Sequence, residues 1–272
     1  MISIGSRRGW CLLPLVALAS LGTASEPRLI EAVKGGDQAA VRTLLRQRAD
    51  VNVQEPDGTT ALHWAVHRDS FEIVEALLRA GAKVDARNRY GVAPLTLACV
   101  NGSPAVIDAL LEAGADPNTT AADGETALMT AARTGRADAI TRLVARGATV
   151  NAKETWREQT ALMWAVAEKH SEAVRALLDA GAEVRARSKK GFSPFLFAVR
   201  GGDPEIVNML LGAGADVNEV SGDGVTALII AIVNAHFELA ASLLERGADP
   251  NVDTPGGTAL HAVTRTRNYE YG

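Results

Sequence analysis

The residues best suited to chemistry are five histidines, two cysteines and a scatter of acids. His63 and His67 stand four apart, a spacing that can place two imidazoles on one helix face as a metal pair. Trp64 rather than Glu follows His63, so the zinc-protease phrase is absent, and no third ligand accompanies the pair. Cys11 falls in an N-terminal apolar run and Cys99 in the apolar register of a helix. That excludes a disulfide scaffold and a cysteine zinc site, and Cys99 reads as a small buried hydrophobe. There is no Gly-rich phosphate loop after a strand and no G-x-S-x-G turn. Asp57, Asp123 and Asp223 are spread along loops rather than paired as acid and base. No catalytic residue, metal or cofactor is expected, and the chain does not read as an enzyme.

What positions these residues is a phrase that returns. Its anchor stands at Leu29, Leu62, Leu95, Leu128, Leu162, Phe195, Leu228 and Leu260, in steps of 33, 33, 33, 34, 33, 33 and 32. Such a fixed period marks a stacked solenoid. In one copy Thr60 is placed to cap a first helix. Leu62, Ala65 and Val66 recur at helical spacing, and Phe71–Arg79 gives a second helix with Ile73, Val74, Leu77 and Leu78 on one face. Gly81 stands where that helix must stop in a left-handed conformation. A hairpin-like link then leads to Gly91 and the next copy. Trp64 and Trp164 occupy equivalent positions and read as packing residues. Aromatics are only 4% of the chain, so closely packed Ala, Leu and Val must supply the core.

The copies closely resemble the ankyrin repeat family. The matching residues are Thr60, Leu62 and His63, then Thr258, Leu260 and His261, together with the phrases Gly114 to Asn118, Gly214 to Asn218 and Gly247 to Asn251. The resemblance implies an all-α solenoid of helix-turn-helix units joined by hairpin-like loops. Seven full repeats and a partial eighth would span residues 26–272. It also makes His63 a structural histidine bonded within its own repeat and His170 and His236 mid-repeat turn residues. The function it implies is binding of a protein partner on a concave face lined by link tips and first helices.

Several copies depart from the pattern. Arg48 takes a glycine position in the first repeat, whose polar outer face suits a terminal cap. The link 153–158 is one residue longer, and Glu158 replaces its turn glycine, which predicts an irregular finger with an exposed Trp156. In the next link Arg185 replaces the usual Asn. Arg265–Gly272 stands where the eighth repeat would have its second helix. Tyr90 and Trp156 are aromatics at turn positions without a core duty, and aromatics are favoured binding anchors. With Arg157, Arg187, Lys189, Lys190 and Arg200 they form the expected partner-binding set, whose basic part also draws in Lys153 and Arg185.

Residues 1–25 read as a secretory signal, with Arg7 and Arg8, the apolar stretch Trp10–Leu21 and small residues before Glu26. An uncleaved anchor is the alternative, although the run is short for a membrane span. Export to the periplasm or outside the cell is the expectation, with no stable membrane insertion after signal removal. Glu26 onward holds 26 bases against 32 acids, which disfavours nucleic acid as a partner. A monomeric protein-binding module is the expected function. The alternative is the targeting region of a larger exported enzyme or redox protein that continues after the array.

Overall fold

The computed structural model describes residues 26–269, with side chains from 28 to 265. The signal reading of residues 1–25 lies outside the described residues, as does the end of the chain beyond Tyr269. Successive helix pairs are α1 (Glu26–Gly35) with α2 (Gln38–Arg46), α3 (Ala61–His67) with α4 (Phe71–Arg79), and α5 (Pro94–Asn101) with α6 (Pro104–Glu112). Then come α7 (Ala127–Arg133) with α8 (Ala137–Ala145), α9 (Ala161–Ala167) with α10 (Ser171–Asp179), and α11 (Pro194–Gly201) with α12 (Pro204–Gly212). The series closes on α13 (Ala227–Val233) with α14 (Phe237–Glu245), and α15 (Ala259–Tyr269). The described residues contain no strand. Isolated antiparallel bridges such as Gln54–Thr60 and Thr120–Thr126 pinch the links into fingers.

First helices stack in one layer, α1 on α3 and onward to α13 on α15, and second helices in another, from α2 on α4 to α10 on α12. From α3 to α13 the first helices are only seven or eight residues long. Helices this short do not persist alone, so stability must come from the caps and from packing. Thr60, Thr126, Thr160, Ser193 and Thr226 each accept a hydrogen bond from the backbone N–H three residues on. Where the cap is Ala93, Pro94 begins α5 instead, needing no N–H partner. The seven anchors from Leu29 to Leu228 are at most 2% exposed.

The eighth anchor behaves differently. Leu260 is 71% exposed. The sequence places a separate tail, Arg265–Gly272, after a short first helix of the eighth repeat. In the structure α15 instead runs on unbroken to Tyr269, so no second helix of that repeat covers Leu260 among the described residues. Phe237 and Leu244 on α14 are exposed at the same end.

Repeats are also stitched by polar groups. Asn118 donates from Nδ2 to the Gly147 carbonyl (3.1 Å) and accepts at Oδ1 from the Thr149 N–H (2.8 Å). Asn52, Asn151 and Asn218 do the same across their own junctions. Arg185 keeps the donor half, reaching the Gly214 carbonyl at 3.1 and 3.2 Å, and a guanidinium has no acceptor to offer. Asp85 keeps the acceptor half, taking the Asp116 N–H. A second seam is made by His170 and His236. Each donates Nε2–H to a carbonyl of the preceding repeat, Arg133 and Arg200 respectively, at 3.1 Å.

Arg48 and Glu158 hold positive φ, 59° and 55°, so both substitutions for glycine keep the left-handed turn. Gly147 has φ near +90°, and a Cβ there would meet no atom within 4 Å. Gly135 has φ near +71° and lies against the His170 ring, with atoms 2.8 Å from the position of a Cβ. Gly147→Val should therefore cost about 1 kcal/mol, the conformational penalty alone. Gly135→Ala should cost more in urea denaturation, because the seam must also open.

His63 is buried. Its Nε2–H donates to the Val92 carbonyl at 3.0 Å, while Nδ1 accepts from the Thr60 N–H at 3.2 Å and contacts Thr60 Oγ1 at 2.8 Å. Burial lowers its pKa, opposed by the Val92 carbonyl and Asp57. The unfolded chain thus takes up this proton first as pH falls, so stability is lost below about pH 6.5 and levels off once pH is below the folded-state value. In His63→Gln this part of the acid slope should vanish from urea-melt stabilities measured between neutral and mildly acid pH.

Candidate partner-binding site

The long link that ends at α9 is built around a carboxylate. Glu154 is 5% exposed. Its Oε2 accepts from the Trp156 N–H at 2.6 Å, and its Oε1 from the N–H groups of Arg157 (2.8 Å) and Gln159 (3.0 Å). Three of the shorter links use shorter groups in this place: Asn88 accepts from Tyr90 and Val92, Ser188 from Phe192, and Ser221 from Val225. The extra residue widens the turn, and the longer Glu side chain spans it. Folding the carboxylate inward leaves Trp156 outside, 67% exposed, with the Arg157 guanidinium 4.1 Å over its ring.

Neighbouring fingers are tied at their tips. The Lys189 N–H donates to the Arg157 carbonyl at 2.8 Å, and the Thr155 N–H to that of Asp123 at 3.1 Å. Below the Arg157–Lys189 junction lies a cleft of about 480 Å³, bounded by Trp156, Arg157, Lys189, Lys190, Phe192 and Arg200 among others. Its floor is aromatic, with the rings of Phe192 and Phe197 centred 5.6 Å apart. Arg200, on α11, lays its guanidinium over both, at 5.2 and 4.9 Å.

Of the seven expected residues, the cleft joins Trp156, Arg157, Lys189, Lys190 and Arg200. Tyr90 is also exposed, but on a finger two repeats earlier, with Arg89 over its ring at 4.8 Å. Arg187 is not in the cleft. It reaches the next link, donating to the carbonyls of Gly191 (2.7 Å) and Val220 (2.6 Å) and pairing with Glu219 at 2.7 Å. Arg87, its counterpart three repeats earlier, likewise holds Thr119 and Thr120. That register was the sequence signal for a structural role. Burial raises the Glu219 pKa, countered by the Ser193 hydroxyl and Arg187. Phe192 and Phe197, absent from the expected set, supply the floor: Phe192 ends the link and Phe197 follows five residues on in α11, and the link folds the first ring back toward the second.

The residues that first suggested chemistry are otherwise engaged. His67 meets the Trp64 ring edge-on at 5.8 Å, His63 is locked as described, and no metal-binding group occurs among the described residues. Burial pushes the Cys99 thiol up to about 12, which leaves it protonated and inert. The two tryptophans pack against the core but remain half-buried. Trp64 donates Nε1–H to Glu55 at 2.6 Å, beneath Lys34 at 4.8 Å. Glu154 holds the equivalent place near Trp164, but its carboxylate serves the finger, and Trp164 Nε1 is buried without a partner.

The profile of ankyrin repeats matches three times, over residues 29–121, 117–188 and 195–271. The chain belongs to the ankyrin repeat family. Comparison with curated protein sequences finds no match. Among solved structures, the human ASB11 ankyrin repeat domain is 28% identical, with a TM-score of 0.73 over 82% of this chain and 98% of that one. The ankyrin repeat domain of Bcl-3, a member of the IκB protein family, is 29% identical, with a TM-score of 0.71 over 80% and 97%. Ankyrin repeats are general protein–protein interaction modules, typically non-catalytic.

The two kinds of arginine and lysine should separate on substitution. Arg187→Ala strands the largely buried Glu219 and two carbonyls, so urea denaturation should show a loss of about 1–3 kcal/mol. Lys190→Ala, at an exposed tip, should stay within about 0.5 kcal/mol.

Proposed function

We propose that this chain is an exported, monomeric, non-catalytic ankyrin protein that holds a protein partner on its concave side, in the cleft between the Trp156 and Lys189 fingers. The observation that carries this reading is the cleft itself. An aromatic floor, an exposed tryptophan and four cations converge where finger tips meet first helices, and buried aromatic and arginine anchors dominate protein interfaces. The N-terminal sequence supports export through Arg7, Arg8 and the apolar run after them. No described helix is long and apolar enough to cross a membrane. The acidic balance of the array supports a protein rather than a nucleic acid as the partner.

The test is affinity capture from the exported fraction, with residues 26–272 as bait beside a Trp156→Ala, Lys189→Glu, Lys190→Glu variant. A specific protein held by the first bait and lost by the second is the expected result, with the two melting temperatures alike. Equal capture by both baits would remove the cleft from the interface.

A further inference from the structure

The cleft is one half of a longer groove, and its two halves differ in chemistry. Beside it lies a second hollow of about 520 Å³, which shares Phe192 and Arg200 with the first. The second hollow is walled by Val225, Ile229, Ile230 and Val233, with Thr254 and Arg265 also on its rim, the Arg265 guanidinium donating to the Gly256 carbonyl. Val233 is 59% exposed, an aliphatic side chain presented on α13.

The first half is positive, and its charge is unspent. Among the described residues, Arg157, Lys189, Lys190 and Arg200 form no ion pair. Some arginines elsewhere on the array are matched, such as Arg133 with Glu125, Arg142 with Asp108 and Arg187 with Glu219. Of the two carboxylates in the finger, Glu154 is turned inward and occupied by three backbone N–H groups, and Glu158 is exposed and forms no ion pair among the described residues. An acidic array that leaves four neighbouring cations unmatched has a strong local field for anionic groups.

We infer that the groove takes an extended acidic segment of a partner protein, with carboxylates between the Trp156 and Lys189 fingers and aliphatic or aromatic side chains over α13. The inference rests on the protein-binding reading and adds the partner's chemistry and polarity. Arg200 is the pivot. Its guanidinium lies between the two halves, stacked on Phe192 and Phe197, and its N–H edge can take a carboxylate while its face covers the rings. Carboxylate recognition here would give specificity and a fast encounter, and the apolar half would slow release.

The test uses the purified chain and two short fluorescent peptides. One carries a run of Glu followed by Leu and Phe, and the other has Gln in place of every Glu. Fluorescence anisotropy should show binding of the first and at least a tenfold weaker binding of the second. Affinity for the Glu peptide should fall as salt is raised, since exposed charges are screened. Lys189→Glu with Lys190→Glu should weaken it at least tenfold and remove most of the salt dependence. Val233→Asp should weaken it several-fold at an unchanged melting temperature.

Equal binding of the Glu and Gln peptides, or no binding of either, overturns the inference. Tighter binding of heparin than of the Glu peptide, with competition between them, also overturns it in favour of a sulfated glycan. If the capture experiment yields a cleft-dependent partner while the Glu peptide fails, only the acidic class is lost and the protein-binding reading stands.

Discussion

The contact between one repeat and the next is the interaction on which everything else in this molecule depends. Each helix is too short to persist in water by itself. Each apolar stripe is buried only when a neighbouring repeat or its own partner helix lies over it. The anchors show the rule and its limit. They are closed from water from Leu29 to Leu228, whereas Leu260, with the same local sequence, is largely exposed, with no second helix of its repeat over it among the described residues. Burial here belongs to the stack, not to the residue.

The stack also sets the polar chemistry. A polar group at a repeat junction must find its partner across that junction, so substitutions at one register position keep only the half of the bond that the new side chain can make. Asn makes both halves, Asp85 accepts and Arg185 donates. The histidine seams work the same way, with an imidazole of one repeat against a glycine and a carbonyl of the one before. These bonds are modest singly. Repeated at junction after junction, they fix the geometry at which fingers emerge.

That geometry creates the cleft. One inserted residue would distort an ordinary finger. Glu154 absorbs it by drawing three backbone N–H groups onto one buried carboxylate. The cost falls on Trp164, whose indole N–H has lost the acceptor that Glu55 provides to Trp64. In exchange Trp156 and Arg157 stand outside as a stacked pair beside the lysines of the next finger. A local departure from the repeat has become a surface unlike that of its neighbours.

The fold was legible in the chain because its causes are local and periodic. The spacing of the anchors, the Thr and Ser caps and the left-handed turn positions can be read from single copies, even where Arg48 and Glu158 replace glycine. The exposed Trp156 was legible for the same reason, since one extra residue and a missing turn glycine lie within a single link. The makeup of the cleft was not. Arg187 and Lys189 stand two apart in one basic stretch, yet one is spent on Glu219 and the Val220 carbonyl while the other faces solvent. Phe192, Phe197 and Arg200 are close in sequence, but their contact depends on how the link folds its ring back onto α11, which the repeat pattern does not specify. Sequence by itself determined the repeat, its caps and its turns, because those depend on residues a few places apart. Tertiary structure alone decided that Arg142 and Arg187 are satisfied while Lys189 and Lys190 remain free, because the carboxylates that satisfy the first two sit one repeat away, and only stacking brings them within reach.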